Sequence, residues 1–165
     1  MPSVIFDLDE TLIDRSLAMR NFAEALWERY LCEGELSLAS FVEQVFSLDQ
    51  YGYAPRSEFF AAMWANFSKL IPNKEIIEEA FFAEVWRTPV LANGVIDCLS
   101  RLKAADIPLA IVTNGSSEAQ SNKIEHSGLN GFFDVLVVSE ELGVKKPDPS
   151  IYLEASARLG VLPAK

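Results

Sequence analysis

The sequence predicts an α/β fold in which a parallel sheet is interrupted, after its first strand, by a block of helices. Three short apolar runs have the length and composition of buried strands, at residues 3–8, 108–113 and 133–138. Helical patterns follow the second and third runs, as in right-handed crossovers between parallel strands. Every pattern from about residue 16 to residue 88 is helical. We therefore expect an α/β core made of residues 1–14 and 89–165, with residues 15–88 inserted as a helical cap.

The inserted block contains four amphipathic patterns with apolar residues at helical spacing. Breaks end these patterns at Gly34, Tyr51–Pro55, Pro72 and Pro89. Most of the phenylalanines and all three tryptophans of the chain lie in this block. Aromatic stripes can line a ligand pocket, but packing between helices is their commoner use, and we predict a helical core here.

The remainder of the chain alternates between strands and helices. Helical patterns cover residues 94–105, 116–127 and 148–159. Ser116 or Ser117 is a candidate N-cap of the second of these helices, because a serine hydroxyl accepts a hydrogen bond from a first-turn amide. Asp148 followed by Pro149 is typical of a helix start.

Composition narrows the classes of partner. The 165 residues are half hydrophobic, with a mean hydropathy of +0.14, which is enough for one core plus an insertion. A formal net charge of -10 argues against nucleic acid, and no apolar run approaches the length of a membrane span. Cys32 and Cys98 are far apart and suggest small core residues of a cytoplasmic protein rather than a disulfide.

The first predicted strand ends in two carboxylates, Asp7 and Asp9. Residues two apart share one face of a strand, so an extended strand would aim both the same way. Two like charges that close are costly unless a cation or a shared proton relieves them. The pair therefore indicates a chemical site, and the alternative is a solvated turn at the end of a strand.

Polar groups also follow the other two predicted strands. Thr113-Asn114-Gly115 ends the second, and a helix starts directly after it, so a hydroxyl, loop amides and a helix N-terminus could together bind an anion. Lys145 and Lys146 follow the third strand, before Pro147. Ligands of open α/β sheets bind beyond the carboxyl ends of the strands, so these groups are expected to meet.

Such a set fits phosphoryl transfer. A carboxylate can attack phosphorus and form an aspartyl-phosphate. Because the carboxylate and the phosphoryl group are both negatively charged, a hard divalent cation, most simply Mg²⁺, would reduce the repulsion between them. A second carboxylate can protonate the leaving oxygen and later deprotonate the attacking water.

Three segments resemble, in order, the first three motifs of the haloacid dehalogenase-like (HAD) hydrolase superfamily. They are Asp7-Leu8-Asp9-Glu10-Thr11-Leu12, Thr113-Asn114-Gly115 and Lys146-Pro147-Asp148-Pro149. The inserted helices resemble the C1-type cap of its phosphatase-like branch. The resemblance implies a Rossmann-like core and a phosphatase that hydrolyses a small phosphorylated metabolite.

The resemblance also implies residue roles. Asp7 would be the nucleophile and a Mg²⁺ ligand, and Asp9 the general acid/base with its backbone carbonyl on Mg²⁺. Thr113 and the amides of Asn114 and Gly115 would hold the phosphoryl oxygens. Lys146 would neutralise the nucleophile. Dehalogenases of this superfamily lack an acid at the position of Asp9, which favours phosphoryl transfer.

A fourth motif, an apolar strand ending in further Mg²⁺-binding carboxylates, would be expected after the helix that ends near Gly160, where the sequence has only five more residues. Three explanations would account for the missing fourth motif. The sequence could belong to a longer phosphatase, it could be a truncated and weakly active form, or a second copy could pair with the exposed edge of the first strand. The alternatives to a phosphatase are a non-catalytic binding module and a sugar phosphomutase.

Overall fold

The computed structural model describes residues 2–161, which fall into two compact units. Ser16–Arg87 forms one unit, and the segments on either side of it in the sequence form the other. The sequence placed the corresponding boundaries after residues 14 and 88.

The flanking segments build a three-stranded parallel sheet, which confirms the predicted α/β class. Its strands are β1 (Val4–Phe6), β2 (Leu109–Thr113) and β3 (Val135–Val138), in the order β1-β2-β3. Ile5 is in register with Ala110, and Ile111 with Leu136. Within residues 2–161, β1 has β2 as its only neighbour, so pairing of its other edge with another chain stays a prediction.

Helices cover both faces of this sheet. They are α5 (Val95–Ala104), α6 (Ser117–His126), α7 (Ser139–Leu142) and α8 (Pro149–Arg158). Alternate strand residues face opposite ways, so Leu109 and Ile111 join one apolar cluster with Leu99 of α5, whereas Ala110 and Val112 join another. The predicted N-caps are confirmed: the Ser116 hydroxyl accepts from the Ala119 amide, and the Asp148 carboxylate accepts from the Ser150 amide.

The unit Ser16–Arg87 is helical throughout its regular elements. These are α1, which starts one residue earlier (Arg15–Tyr30), α2 (Leu38–Asp49), a 3₁₀ turn (Gln50–Gly52), α3 (Arg56–Phe67), α4 (Lys74–Phe81) and a π-helical stretch (Phe82–Arg87). Phe22, Phe59 and Phe81 are fully or almost fully buried and contact one another. The aromatic stripes therefore pack between helices, as predicted.

Several local predictions were wrong. β1 ends at Phe6, two residues early, and β3 begins at Val135, two residues late. The Asp134 carboxylate, just before β3, accepts a hydrogen bond from the Leu109 amide at the start of β2. Cys32 and Cys98 are exposed rather than core residues. The last four residues, part of the tail where a fourth motif was sought, lie outside the described residues. Among the described helices, none has the length and apolar character needed to cross a membrane.

Candidate active site

The predicted site residues gather at the carboxyl end of the sheet. Asp7 and Asp9 follow β1, and Thr113 is the last residue of β2. Lys146 lies in the loop between α7 and α8. Parallel strands bring their carboxyl ends to one edge, so residues more than a hundred positions apart in the chain become neighbours.

Asp7 and Lys146 form the ion pair expected of nucleophile and neutralising cation. The Lys146 ammonium contacts Oδ1 of Asp7, and the Leu8 amide donates to the same oxygen at 2.7 Å. The Asp7 side chain is 44% exposed, whereas that of Lys146 is 17% exposed. The carboxylate is thus fixed from one side and open to a substrate on the other.

Asn114 locks the lysine loop onto the end of β2. Its Oδ1 accepts from the Lys146 amide at 2.8 Å, and its Nδ2 donates to the Lys146 carbonyl at 3.2 Å. The expected role of Asn114 was a backbone amide aimed at a phosphoryl oxygen. That role stays a prediction, whereas the side chain of Asn114 sets the position from which Lys146 reaches Asp7.

Asp9 has a different cation from Asp7. The Lys123 ammonium of α6 contacts both Asp9 oxygens, at 2.7 and 2.8 Å, and Gln120 Nε2 donates to Oδ2 at 3.2 Å. Since β1 ends at Phe6, the two aspartates lie beyond the strand, and the shared face expected from strand alternation does not apply. Their repulsion is relieved by one lysine each.

The surroundings of Asp9 keep it charged. Burial raises the pKa of the carboxyl, but the Lys123 charge and the hydrogen bonds from Lys123 and Gln120 outweigh burial, and Arg15 adds a smaller effect, so the pKa of Asp9 lies below its ordinary value. Arg15 itself is buried, at 8% exposure. In this conformation Asp9 is a carboxylate.

The expected anion-binding donors are partly engaged within the protein. The Gly115 amide donates to the Ser139 hydroxyl at 3.0 Å, and the Ser117 amide, in the first turn of α6, donates to Glu140 at 2.8 Å. Glu140 also places negative charge at the N-terminus of α6, which opposes an anion there. In this conformation the helix N-terminus contributes less to an anion site than the sequence suggested.

Thr113 is buried, at 1% exposure, and its hydroxyl oxygen accepts from Gln120 Nε2 at 2.7 Å. The Thr113 hydroxyl donates only a long, weak hydrogen bond, to the Asn114 carbonyl oxygen at 3.4 Å. Thr113 can therefore still act as a donor if an oxyanion approaches it.

Sequence reasoning missed Gln120, Lys123, Ser139 and Glu140. Gln120 and Lys123 lie three residues apart, so they share a face of α6, and both are buried. One signal in the sequence could have indicated them: Lys123 lies on the same side of the helix as the apolar residues Ala119 and Ile124. Nothing local in the sequence singles out Ser139 or Glu140.

The donors available to a cation here are oxygens. Asp7 supplies an exposed carboxylate, and the Asp9 carboxylate is already held by Lys123, so only a backbone carbonyl of Asp9 fits a ligand role. Across residues 2–161, no cluster of three or more His, Cys, Asp or Glu side chains forms a metal site. Mg²⁺ nevertheless fits this set, because it keeps several waters and often takes only one or two carboxylates from a protein.

The chain matches a known family over nearly all of its length. Residues 4–165 match the model of the haloacid dehalogenase-like hydrolases. A glyceraldehyde 3-phosphate phosphatase of Methanopyrus kandleri is 32% identical over 98% of this chain and 71% of its own. A phosphoserine phosphatase of Thermus thermophilus is 32% identical over 85% of this chain, which spans about half of that relative (52%).

Solved structures share the fold. A HAD-hydrolase candidate from Bacillus subtilis, YfnB, in a magnesium-bound crystal form, has a TM-score of 0.74 at 24% identity over 99% of this chain and 75% of its own. Dehalogenases share the fold at similar identity, so the fold alone does not decide the reaction. Family model, relatives and architecture agree, and the chain belongs to the haloacid dehalogenase-like hydrolases.

Proposed function

We propose that this chain carries the site of a Mg²⁺-dependent phosphatase that hydrolyses small phosphorylated metabolites through an aspartyl-phosphate. One observation carries the proposal: an exposed carboxylate, Asp7, is held by Lys146 next to a second, separately paired carboxylate, Asp9. The names of the two phosphatase relatives agree with this reaction class.

The two lysines suit two different tasks. Lys146 places a positive charge where an anionic phosphoryl group would approach Asp7, which lowers the repulsion between nucleophile and substrate. Lys123 is paired with Asp9 on the side of α6, so its charge supports the acid/base rather than the nucleophile. An ester hydrolysed by attack of a carboxylate needs both a cation at the nucleophile and a proton carrier at the leaving oxygen.

The reaction proceeds in two steps in this proposal. Asp9, a carboxylate in the free protein, first takes up a proton from solvent when the phosphate ester binds; an Asp7 oxygen then attacks phosphorus, the bond from phosphorus to the ester oxygen breaks, and the leaving oxygen takes that proton. Asp9, now a carboxylate, then removes a proton from a water molecule that attacks the aspartyl-phosphate. Inorganic phosphate leaves and Asp7 is regenerated. The Leu8 amide and the Lys146 ammonium both contact Oδ1 of Asp7, so we assign the attack to Oδ2.

Asp7, with the backbone carbonyl of Asp9, would hold Mg²⁺. The ion would supply positive charge that offsets the charge on the transferring group. Thr113 and the Asn114 amide would contact the phosphoryl oxygens. We also propose that residues 15–88 act as the cap that selects the substrate. We propose that the protein works in the cytoplasm.

The test is release of inorganic phosphate by the full-length protein from a panel of phosphate monoesters with Mg²⁺. Asp7→Asn is expected to lower the rate at least about a thousandfold, because an amide is a far weaker nucleophile than a carboxylate. Asp97→Asn is the matched control: Asp97 is exposed on α5, and its loss should change the rate less than about twofold. Phosphate release by wild-type protein no faster than by Asp7→Asn, across the panel, would refute the proposal.

A further inference from the structure

Two buried side chains of α6 converge on the candidate site. Gln120 is 1% exposed and Lys123 is 5% exposed. Lysine is almost never this buried unless it is paired, and its partner here is Asp9 through both carboxylate oxygens. A lysine that only stabilised the fold could pair with any acid, whereas this one takes the second aspartate of the site.

The orientation of Gln120 can be read from its neighbours. Its Nε2 lies 2.7 Å from the Asn114 carbonyl oxygen, which can only accept, so the amide group rather than Oε1 must face the site. Nε2 has two hydrogens and three acceptor neighbours, and the two short contacts are those to Asn114 and to the Thr113 hydroxyl. Within residues 2–161, Oε1 is buried without a hydrogen-bond partner.

A buried acceptor without a partner is unfavourable, and an apolar side chain would avoid it. The hydrogen bonds that Gln120 donates must therefore compensate, and the two short ones end on Thr113, the last residue of β2, and on Asn114, which follows it. Gly115 leaves room for this arrangement, because a Cβ there would lie 3.0 Å from Nε2.

The backbone around Asp9 is held by contacts with Leu8 and Ile13 rather than by a strand. Asp9 forms an isolated bridge with Ile13, and Glu10 next to it has a φ of 60°. The strand has already ended at Phe6, so no ladder aligns the side chain. The hydrogen bonds to its carboxylate oxygens come from Lys123 and Gln120 of α6.

We propose that Gln120 and Lys123 are positioning residues: Lys123 holds the Asp9 carboxylate in the place from which it exchanges protons, and Gln120 holds the Thr113 hydroxyl for the phosphoryl group. This deepens the proposed phosphatase function and rests on it. In the proposal neither side chain contacts the phosphoryl group, the leaving group or the attacking oxygen. Each acts through a residue that does.

The experiment compares Lys123→Met with Lys103→Met in the full-length protein. Lys103 is a matched control because it pairs with Asp134 at 3.0 Å on the surface, with 36% of its side chain exposed. Two substrates are used: glycerol phosphate, whose leaving alkoxide needs a proton, and p-nitrophenyl phosphate, whose leaving phenolate does not. Lys123→Met should lower kcat for glycerol phosphate about a hundredfold with little change in KM, and the loss for p-nitrophenyl phosphate should be smaller. Lys103→Met should leave both within about twofold.

A double variant separates positioning from folding. Asp9→Asn combined with Lys123→Met removes both charges of the pair together, so neither charge of the pair is left without the other, even if the single Lys123 variant folds poorly. If Lys123 acts through Asp9, adding Lys123→Met to Asp9→Asn should lower kcat no further. Gln120→Leu should weaken inhibition by inorganic phosphate about tenfold, the loss of one well-placed hydrogen bond.

The outcomes separate the two proposals. Inactive wild-type protein refutes the proposed function, and the inference with it. Active wild-type protein with Lys123→Met as fast as Lys103→Met on glycerol phosphate overturns the inference alone. The inference is also overturned if Lys123→Met lowers kcat by the same factor in wild-type protein and in Asp9→Asn. An unchanged inhibition constant for phosphate in Gln120→Leu overturns it too.

Discussion

Replacing Gly115 by alanine should damage both stability and activity, for reasons that the structure separates. Gly115 has a φ of +140°, a conformation that L residues rarely adopt, and such strain costs about 1–3 kcal/mol. The new Cβ would also lie 3.0 Å from Nε2 and 3.2 Å from Cδ of Gln120, which must then move. Moving Gln120 weakens its hydrogen bonds to Thr113 and Asn114, at a further cost of about 1–3 kcal/mol.

Gly128→Ala provides the matched control. Gly128 has a φ of +74°, and a Cβ there would have no atom within 4 Å, so only the backbone strain applies. The difference between the two variants therefore contains the collision with Gln120, together with any difference in backbone strain between φ values of +140° and +74°. We expect Gly115→Ala to be less stable than Gly128→Ala by about 1–3 kcal/mol, which for a chain of this size lowers the melting temperature by about 2–4 °C for each kcal/mol.

The assay pairs thermal unfolding, followed by circular dichroism, with phosphate release at a temperature where both variants are folded. Gly115→Ala should lose more than about tenfold in kcat/KM, and Gly128→Ala less than about twofold. Equal melting temperatures together with equal kcat/KM for the two variants would refute the reasoning, since Gln120 would then tolerate displacement without effect on the site.

Three further predictions concern the metal, the helical core and pH. Chelation with EDTA should abolish phosphate release, and added Mg²⁺ should restore it; unchanged turnover in EDTA would contradict a metal role. Phe59→Ala should destabilise the helical unit by about 3–5 kcal/mol in urea denaturation, because Phe59 is fully buried, whereas Tyr53→Ala, 88% exposed, should cost less than about 0.5 kcal/mol. The Leu109 amide and then Lys103 lower the pKa of Asp134, so this group stabilises the fold above its ordinary pKa and that contribution disappears as pH falls through the lowered value. The melting temperature of Asp134→Asn should accordingly fall less between pH 5 and about pH 3 than that of wild type, and equal slopes would show that Asp134 contributes nothing.

The order of strands and polar motifs along the sequence was sufficient to predict which loops meet at the candidate site. The apolar strands could be recognised without tertiary contacts, and parallel strands place their carboxyl ends at one edge. The meeting of Asp7 with Lys146 was predictable for that reason. The caps at Ser116 and Asp148 were predictable too, because a cap depends on residues within one turn of it.

The partners of the second aspartate could not be predicted in this way. Gln120 and Lys123 lie on a helix, and the direction in which a helix face points depends on how the helix packs on the sheet. The sequence showed that these two residues share a face, but not that the face meets Asp9 rather than solvent. Cys32 and Cys98 illustrate the same limit, since both lie near apolar residues and are nevertheless exposed.

By itself, the sequence determined the α/β class, the order of the motifs and the identity of the carboxylates after the first strand. These properties depend on local patterns and on the shared direction of parallel strands. Only the tertiary structure decided that each aspartate has its own lysine, because that depends on where β1 ends and on the face that α6 turns inward. The charge balance of the site is a property of packing, since ion pairs between residues more than a hundred positions apart exist only in the folded chain.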